Sequence, residues 1–237
     1  MENVQRFADE TTVIAGIPVL TDEARIRRRL RAPEGTNGED LVKDLVREAN
    51  ALAEPRCLYR TVYIDAKEEG SVHIEGIEFS SMILRKNLDA IERVFLYVAT
   101  VGPALEKEAS SCEDILKQYY LEQLADMVLE DIVAYLAKEL AEQYATGKLS
   151  RMNPGSLKDW PLPEQEKLFS LCTAGLEYLG VHLTSSYLML PRKSVSGILF
   201  PSETTFVSCS LCPRKRCPRR RTPYNGEELK RYGVESE

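Results

Sequence analysis

Three cysteines fall within nine residues near the end of the chain, as Cys209-x2-Cys212-x4-Cys217. Two thiolates at C-x2-C spacing can chelate one centre, and Pro213 and Pro218 would hold the loop around them open. Arg214, Lys215, Arg216, Arg219, Arg220 and Arg221 add six positive charges. Such a field favours thiolates and offsets the charge of a ligated cluster. Three readings stay open: an iron–sulfur cluster, a zinc ion, or free and redox-active thiols. A fourth ligand is missing locally; Cys57, Cys112 and Cys172 are the remaining thiols. Farther up the chain, Asp126, Glu130, Ala134 and Ala137 share one face of a predicted helix. A carboxylate beside alanines leaves room for a ligand, and a solvated face is the plain alternative. His73 and His182 are the two histidines. Neither stands in a catalytic or metal-ligand pattern, so both are expected to be structural. No nucleophile elbow, Walker loop or dinucleotide fingerprint occurs.

The most informative stretch is RMNPGSLKDWPLPEQ, residues 151–165, followed by GVHLTSSYLMLPRKSVSG, residues 180–197. Arg151, Pro154 and Gly155 open it; Leu183, Thr184, Ser186, Met189, Pro191, Ser194, Val195, Ser196 and Gly197 follow in order. Taken together, these residues resemble the activation domain of vitamin B12-dependent methionine synthase. In that family an Arg-x-x-x-Gly-Tyr stretch opens the S-adenosylmethionine site. The resemblance covers the last third of the chain directly and is compatible with the long helix before it. It implies that Arg151, Pro154, Gly155 and Ser156 line the methyl-donor site and that Glu130 matches a ligand-binding glutamate. An arginine can grip the donor's carboxylate with two parallel hydrogen bonds. Pro154-Gly155 lets backbone approach the ligand, because glycine has no Cβ to obstruct it. The sequence departs from the family in two places. Ser156 replaces the tyrosine, and Asp159-Trp160-Pro161-Leu162-Pro163-Glu164-Gln165 replaces a Cys-Pro-Asp/Glu-His element. Trp160 is then the expected aromatic wall.

The same resemblance implies a stand-alone reactivation protein, a methyltransferase component of methionine biosynthesis. It would bind S-adenosylmethionine and support reductive methylation of cob(II)alamin carried by a separate corrinoid-dependent methionine synthase or methyltransferase. No Asp-x-His-x-x-Gly cobalt-ligand motif occurs, so the cobalamin is expected on the partner. An acidic carrier such as flavodoxin or ferredoxin would supply the electron, docking on the basic tail. The alternative is a non-catalytic sensor of S-adenosylmethionine or corrinoid, or an assembly partner in another corrinoid methyl-transfer system.

The elements that must position these residues are read from periodicity. Thr12 to Pro18 is a strand candidate, and Asn37 to Asp40 open a helix with Leu41, Val42, Leu45, Val46 and Ala49 at helical spacing. Leu58 to Ile64 and Val72 to Phe79 read as a hairpin around residues 67–70. Arg93 to Thr100 is a nearly continuous apolar run, expected as a central strand. Ser111 is the expected N-cap of a long helix that reaches Tyr144. A second helix is expected over 164–179, strands over 181–189, 197–200 and 205–209, and a short helix over 227–232. Strands joined by hairpins between long helices indicate an α+β fold with an antiparallel sheet. The expected organisation is an activation-domain-like body over 1–208 and a Cys-rich basic tail over 209–237.

The chain of 237 residues is 43% hydrophobic and 29% charged, a globular profile. Its 31 basic and 37 acidic residues leave −6, which argues against nucleic-acid binding. No membrane-length apolar run or export signal is seen, so a cytoplasmic protein with reduced thiols is expected.

Overall fold

A computed structural model describes residues 3–31, 36–217 and 220–234, which leaves Pro218 and Arg219 outside the described residues. The strands are β1 (Asn3–Arg6), β2 (Thr12–Ala15), β3 (Arg56–Lys67), β4 (Ser71–Ile74), β5 (Ile77–Ser80), β6 (Arg93–Thr100), β7 (Leu149–Met152), β8 (His182–Leu183), β9 (Met189–Leu190) and β10 (Ser194–Pro201). The helices are α1 (Glu23–Leu30), α2 (Thr36–Leu52), α3 (Met82–Asn87), α4 (Pro103–Ser111), α5 (Ile115–Tyr144), α6 (Gln165–Ser170), α7 (Thr173–Leu179) and α8 (Gly226–Arg231). The expected α+β class with an antiparallel sheet is what the chain adopts. No helix among the described residues is long and apolar enough to cross a membrane.

The chain divides into two interleaved units. One comprises 1–58, 98–136 and 174–195; the other comprises 59–97, 137–173 and 196–237. The first unit holds β1 and β2 with the ends of β3 (56–58), β6 (98–100) and β10 (194–195). The β1–β2 hairpin pairs Asn3 with Ala15 and Arg6 with Thr12. Helix α1 is capped by Asp22, whose side chain accepts from the Arg25 amide. Its Arg25 and Arg29 reach α5, and Lys117 at the start of α5 pairs with Glu48 on α2 at 2.7 Å. Val42 and Leu45 of the expected 41–49 stripe and Leu124 and Val128 of the long helix are buried, whereas Leu41 of that stripe is exposed; Ile26, Leu30, Leu105 and Leu121 are buried as well.

In the second unit the order is β3-β6-β10-β7, with β4 paired to β3 and β5 to β4. Helix α3 begins at Ser81, which accepts from the Leu84 amide. The end of α5 lies on this unit's strands: Tyr144 hydrogen-bonds Thr61 at 3.0 Å and stacks near Phe95 at 4.9 Å. Phe79, Phe95, Tyr97, Trp160 and Phe200 are the large buried side chains here. Residues 209–217 and 220–234 belong to this unit. Leu229 of α8 is 5% exposed, and Tyr232 donates to Asn87 Oδ1 at 3.0 Å.

Several elements differ from the sequence reading for local reasons. The long helix begins at Ile115, because Asp114 Oδ1 accepts from the amides of Leu116 (2.8 Å) and Lys117 (3.1 Å). Ser111 instead ends α4, a helix that starts with proline at its first turn after Gly102. Glu75 (φ 52°) and Gly76 (φ 76°) form a two-residue left-handed turn that splits the expected 72–79 strand into β4 and β5. The expected 181–189 strand is also a hairpin, turned at Tyr187 (φ 61°). Residues 205–209 form no strand, and Ser208–Ser210 is a single 3-10 turn.

Candidate functional site

Strands β7 and β10 bring the two halves of the sequence motif side by side. They run antiparallel with Met152 opposite Ile198 and Arg151 opposite Leu199. The next step of that register sets Asn153 beside Gly197. The Asn153 side-chain amide donates to Tyr97 Oη at 2.5 Å and to the Ser196 carbonyl at 2.7 Å. It passes directly over Gly197. A Cβ on Gly197 would stand 2.4 Å from Asn153 Nδ2, 2.4 Å from the Met152 carbonyl oxygen and 3.0 Å from Tyr97 Cε1. Only glycine leaves room for this bridge. Ser196 Oγ donates to Gln165 Oε1 at 3.3 Å, so the Ser-Val-Ser-Gly segment, which is the start of β10 and not a turn, is tied to α6 as well.

Arg151 itself is half-buried on β7, and no carboxylate pairs with it among the described residues. Its charge acts on Tyr97. Burial pushes the Tyr97 phenol above its usual value, against the lowering effects of Arg151, the Asn153 hydrogen bond and Arg221. Two cationic side chains therefore converge electrostatically on one buried phenol.

The loop after β7 is closed by its own backbone. The Gly155 amide donates to the Trp160 carbonyl at 2.7 Å, and the Ser156 amide to the Asn153 carbonyl at 3.1 Å. Gly155 sits at φ +78°, and a Cβ there would meet Leu162 Cδ1 at 2.9 Å. The glycine is thus required by the loop's own packing. Pro154 is buried and Ser156 exposed. Trp160 is 0% exposed, and its indole Nε1 is buried without a hydrogen-bond partner among the described residues. The expected aromatic wall is therefore a buried prop beneath the loop, with no open face. Asp159 ties the loop to the meander: it accepts from the amides of Met82 (3.2 Å) and Ile83 (2.9 Å) and from the Ser81 hydroxyl.

The remaining candidates lie elsewhere in the chain. Glu130 belongs to the first unit, where Arg25 (2.9 Å) and Arg29 (3.2 Å) both pair with its carboxylate. Asp131 beside it takes Arg25 and the Leu20 amide. Glu130 is thus a counterion of α1. Asp126 is buried and pairs with Lys193 at 2.9 Å. Thr184 Oγ1 caps the β8–β9 turn by accepting from the Leu188 amide, with Ser186 Oγ 3.0 Å away. Ser194 Oγ donates to the Pro191 carbonyl at 2.7 Å.

Cys209, Cys212 and Cys217 are all partly exposed free thiols. Their sulfurs are not gathered within 4.8 Å of one another, so they do not present three ligands to one centre. Arg220 organises this loop. Its guanidinium donates to the carbonyls of Cys209 (3.1 Å), Cys212 (3.2 Å) and Thr222 (3.4 Å), and to that of Arg214. Partial burial raises the Cys209 thiol. Hydrogen bonds from the backbone and side chain of Arg221, with the charges of Arg221 and Arg220, outweigh it and leave the thiol below its ordinary value. Part of the basic tail thus serves the loop rather than solvent.

No protein-family model and no curated protein sequence matches the chain. Among solved structures, it is similar to the MetH reactivation domain bound to AdoHcy. The TM-score is 0.61, at 15% identity, over 86% of this chain and 82% of that one. The fold is that of the MetH reactivation domain.

Asn153 and Tyr97 escaped the sequence reading. Asn153 sits inside the Arg151–Gly155 motif, the one available signal, while Tyr97 lies in an apolar strand that reads only as core.

Proposed function

We propose that the chain binds S-adenosylmethionine, or its demethylated product, at the junction of β7 and β10. The observation that carries this reading is Arg151 on β7, which pairs with no carboxylate among the described residues. It stands beside the Asn153–Gly197–Tyr97 bridge, in a fold whose solved representative holds AdoHcy. A guanidinium without a protein carboxylate is free to take the ligand's carboxylate in a two-pronged pair. The left-handed turn at Gly155 and the exposed Ser156 border the same strand end and offer backbone and hydroxyl groups to the ligand. Glu130 is left out of this set, since it would have to give up two arginines. Trp160 acts from beneath the loop.

In the fuller reading, the bound donor supports reductive methylation of cob(II)alamin on a separate corrinoid protein. The chain's own contribution is positioning: Arg151 fixes the amino-acid end and the β7 loop fixes its orientation. The donor supplies the methyl group, and an electron must come from a separate reductant. No step is routed through the cysteines, whose sulfurs are dispersed.

Titration calorimetry with S-adenosylmethionine and S-adenosylhomocysteine tests the binding step. Arg151→Ala should weaken binding at least about tenfold, the size of one lost charge-assisted pair. Equal affinity in wild type and variant, or no uptake by the wild type, would sink the proposal. Methyl transfer to reduced cobalamin on a corrinoid partner then separates a reactivation protein from a sensor, which would bind without turnover.

A further inference from the structure

We infer that Glu68, His73 and Glu78 form a binding site for a divalent cation of the zinc class. The three residues come from one meander in the second unit. His73 on β4 lies directly opposite Glu78 on β5, so their side chains are cross-strand neighbours. His73 also faces Ala66 on β3, and Glu68 lies two residues past Ala66. Alternation fixes which face they occupy: Val72, Ile74 and Phe79 are 0% exposed and fill the opposite face. The imidazole and the two carboxylates bring one ligand atom each to within 4.8 Å of one another.

His73 Nε2 is buried without a hydrogen bond among the described residues, with Glu68 Oε1 3.2 Å away. Among the described residues, neither carboxylate pairs with a lysine or arginine. The cations nearby are committed to other groups. Lys167 Nζ donates to the Glu78 backbone carbonyl (2.7 Å) and to Glu164 (2.6 Å). Arg85 donates to the Glu68 backbone carbonyl (2.8 Å) and pairs with Asp89 (2.7 Å). Two carboxylates and an imidazole nitrogen set this close together offer a set of ligand atoms that one cation can bridge.

One nitrogen and two oxygens suit zinc or a similar borderline ion, which accepts mixed N/O ligands. Magnesium and calcium prefer all-oxygen sites. Glu68 and Glu78 are exposed, so the remaining coordination positions face solvent. His73, which the sequence marks as structural, becomes the anchoring ligand. The site would tie the tips of β3, β4 and β5 together; it is independent of the methyl-donor reading.

The test is calorimetric titration of the full chain with zinc chloride, with magnesium chloride as control. Wild type is expected to bind one more equivalent of zinc than either His73→Ala or Glu78→Gln, with no magnesium binding at this site. Zinc held by the cysteines would survive in all three proteins and cancels from the difference. Zinc should also raise the melting temperature of wild type more than that of the variants. Glu78→Gln keeps the side chain's size, so its metal-free melting curve guards against misfolding of the histidine variant. Equal zinc stoichiometry in the three proteins would overturn the site, as would equal occupancy by magnesium.

Discussion

At the residue scale, the decisive feature is a glycine that makes way for an asparagine. Gly197→Ala would force the Asn153 amide off Tyr97 and Ser196, because Asn153 Nδ2 and the Met152 carbonyl oxygen would each stand 2.4 Å from the added carbon. The expected cost is about 1–3 kcal/mol, the range for overpacking a close-packed position. Urea unfolding reads it. Methyl-donor binding should weaken in the same variant if the bridge positions Arg151. The thiols separate by environment in a second way. Cys57 is fully buried, and desolvation pushes its thiol far up, so it stays protonated and inert. Cys209 has a lowered pKa, so its folded-state thiolate forms at a pH where the unfolded thiol is still protonated. Stability from this group is fully present above the unfolded value of 9.0 and is lost as pH falls through the folded value. Wild type should therefore gain stability over Cys209→Ser as pH rises toward 9.0. The pH profile of iodoacetamide labelling at Cys209 should also move upward in Arg221→Met. An unmoved profile would show that Arg221 does not hold the thiolate.

At the element scale, caps decide where helices begin. Helix α3 starts on a shared cap, in which Ser81 accepts from Leu84 and Asp159 takes Met82, Ile83 and the Ser81 hydroxyl. Ser81→Ala should cost about 1 kcal/mol, as loss of an N-cap hydroxyl does. Asp159→Ala should cost at least as much, since it leaves two α3 amides without that partner and frees the β7 loop. Chemical denaturation of both variants checks the ordering. If Asp159→Ala proved neutral, the loop would owe nothing to α3.

At the scale of the whole molecule, the chain threads back and forth between two units, and its end belongs to the second of them. Lys86 Nζ donates to the Arg231 carbonyl at 3.0 Å, and the Asn225 amide to the Ser210 carbonyl at 2.7 Å. Leu211 and Leu229 are 1% and 5% exposed. Deleting residues 209–237 should therefore lower stability by at least about 2 kcal/mol, since burying one leucine is worth about that much. A truncated chain that melted at the wild-type temperature would show instead that the Cys-rich segment is dispensable for folding.

Much of this was legible in the amino-acid order alone. The apolar run of β6, the stripe of α5 and the class of the fold follow from periodicity, which records burial one residue at a time. The Arg151-to-Gly155 stretch and the Ser194-to-Gly197 segment were readable as one motif, although some forty residues separate them. Other features depended on neighbours distant in sequence. Nothing local says that Asn153 spans Gly197 to Tyr97, that Glu130 is taken by two arginines of α1, or that Trp160 faces inward. Nothing local says that His73 meets two carboxylates across β-strands. Register and long-range pairing are set by the summed burial of whole strands and helices, so only the folded chain decides which side chains stand free to meet a ligand.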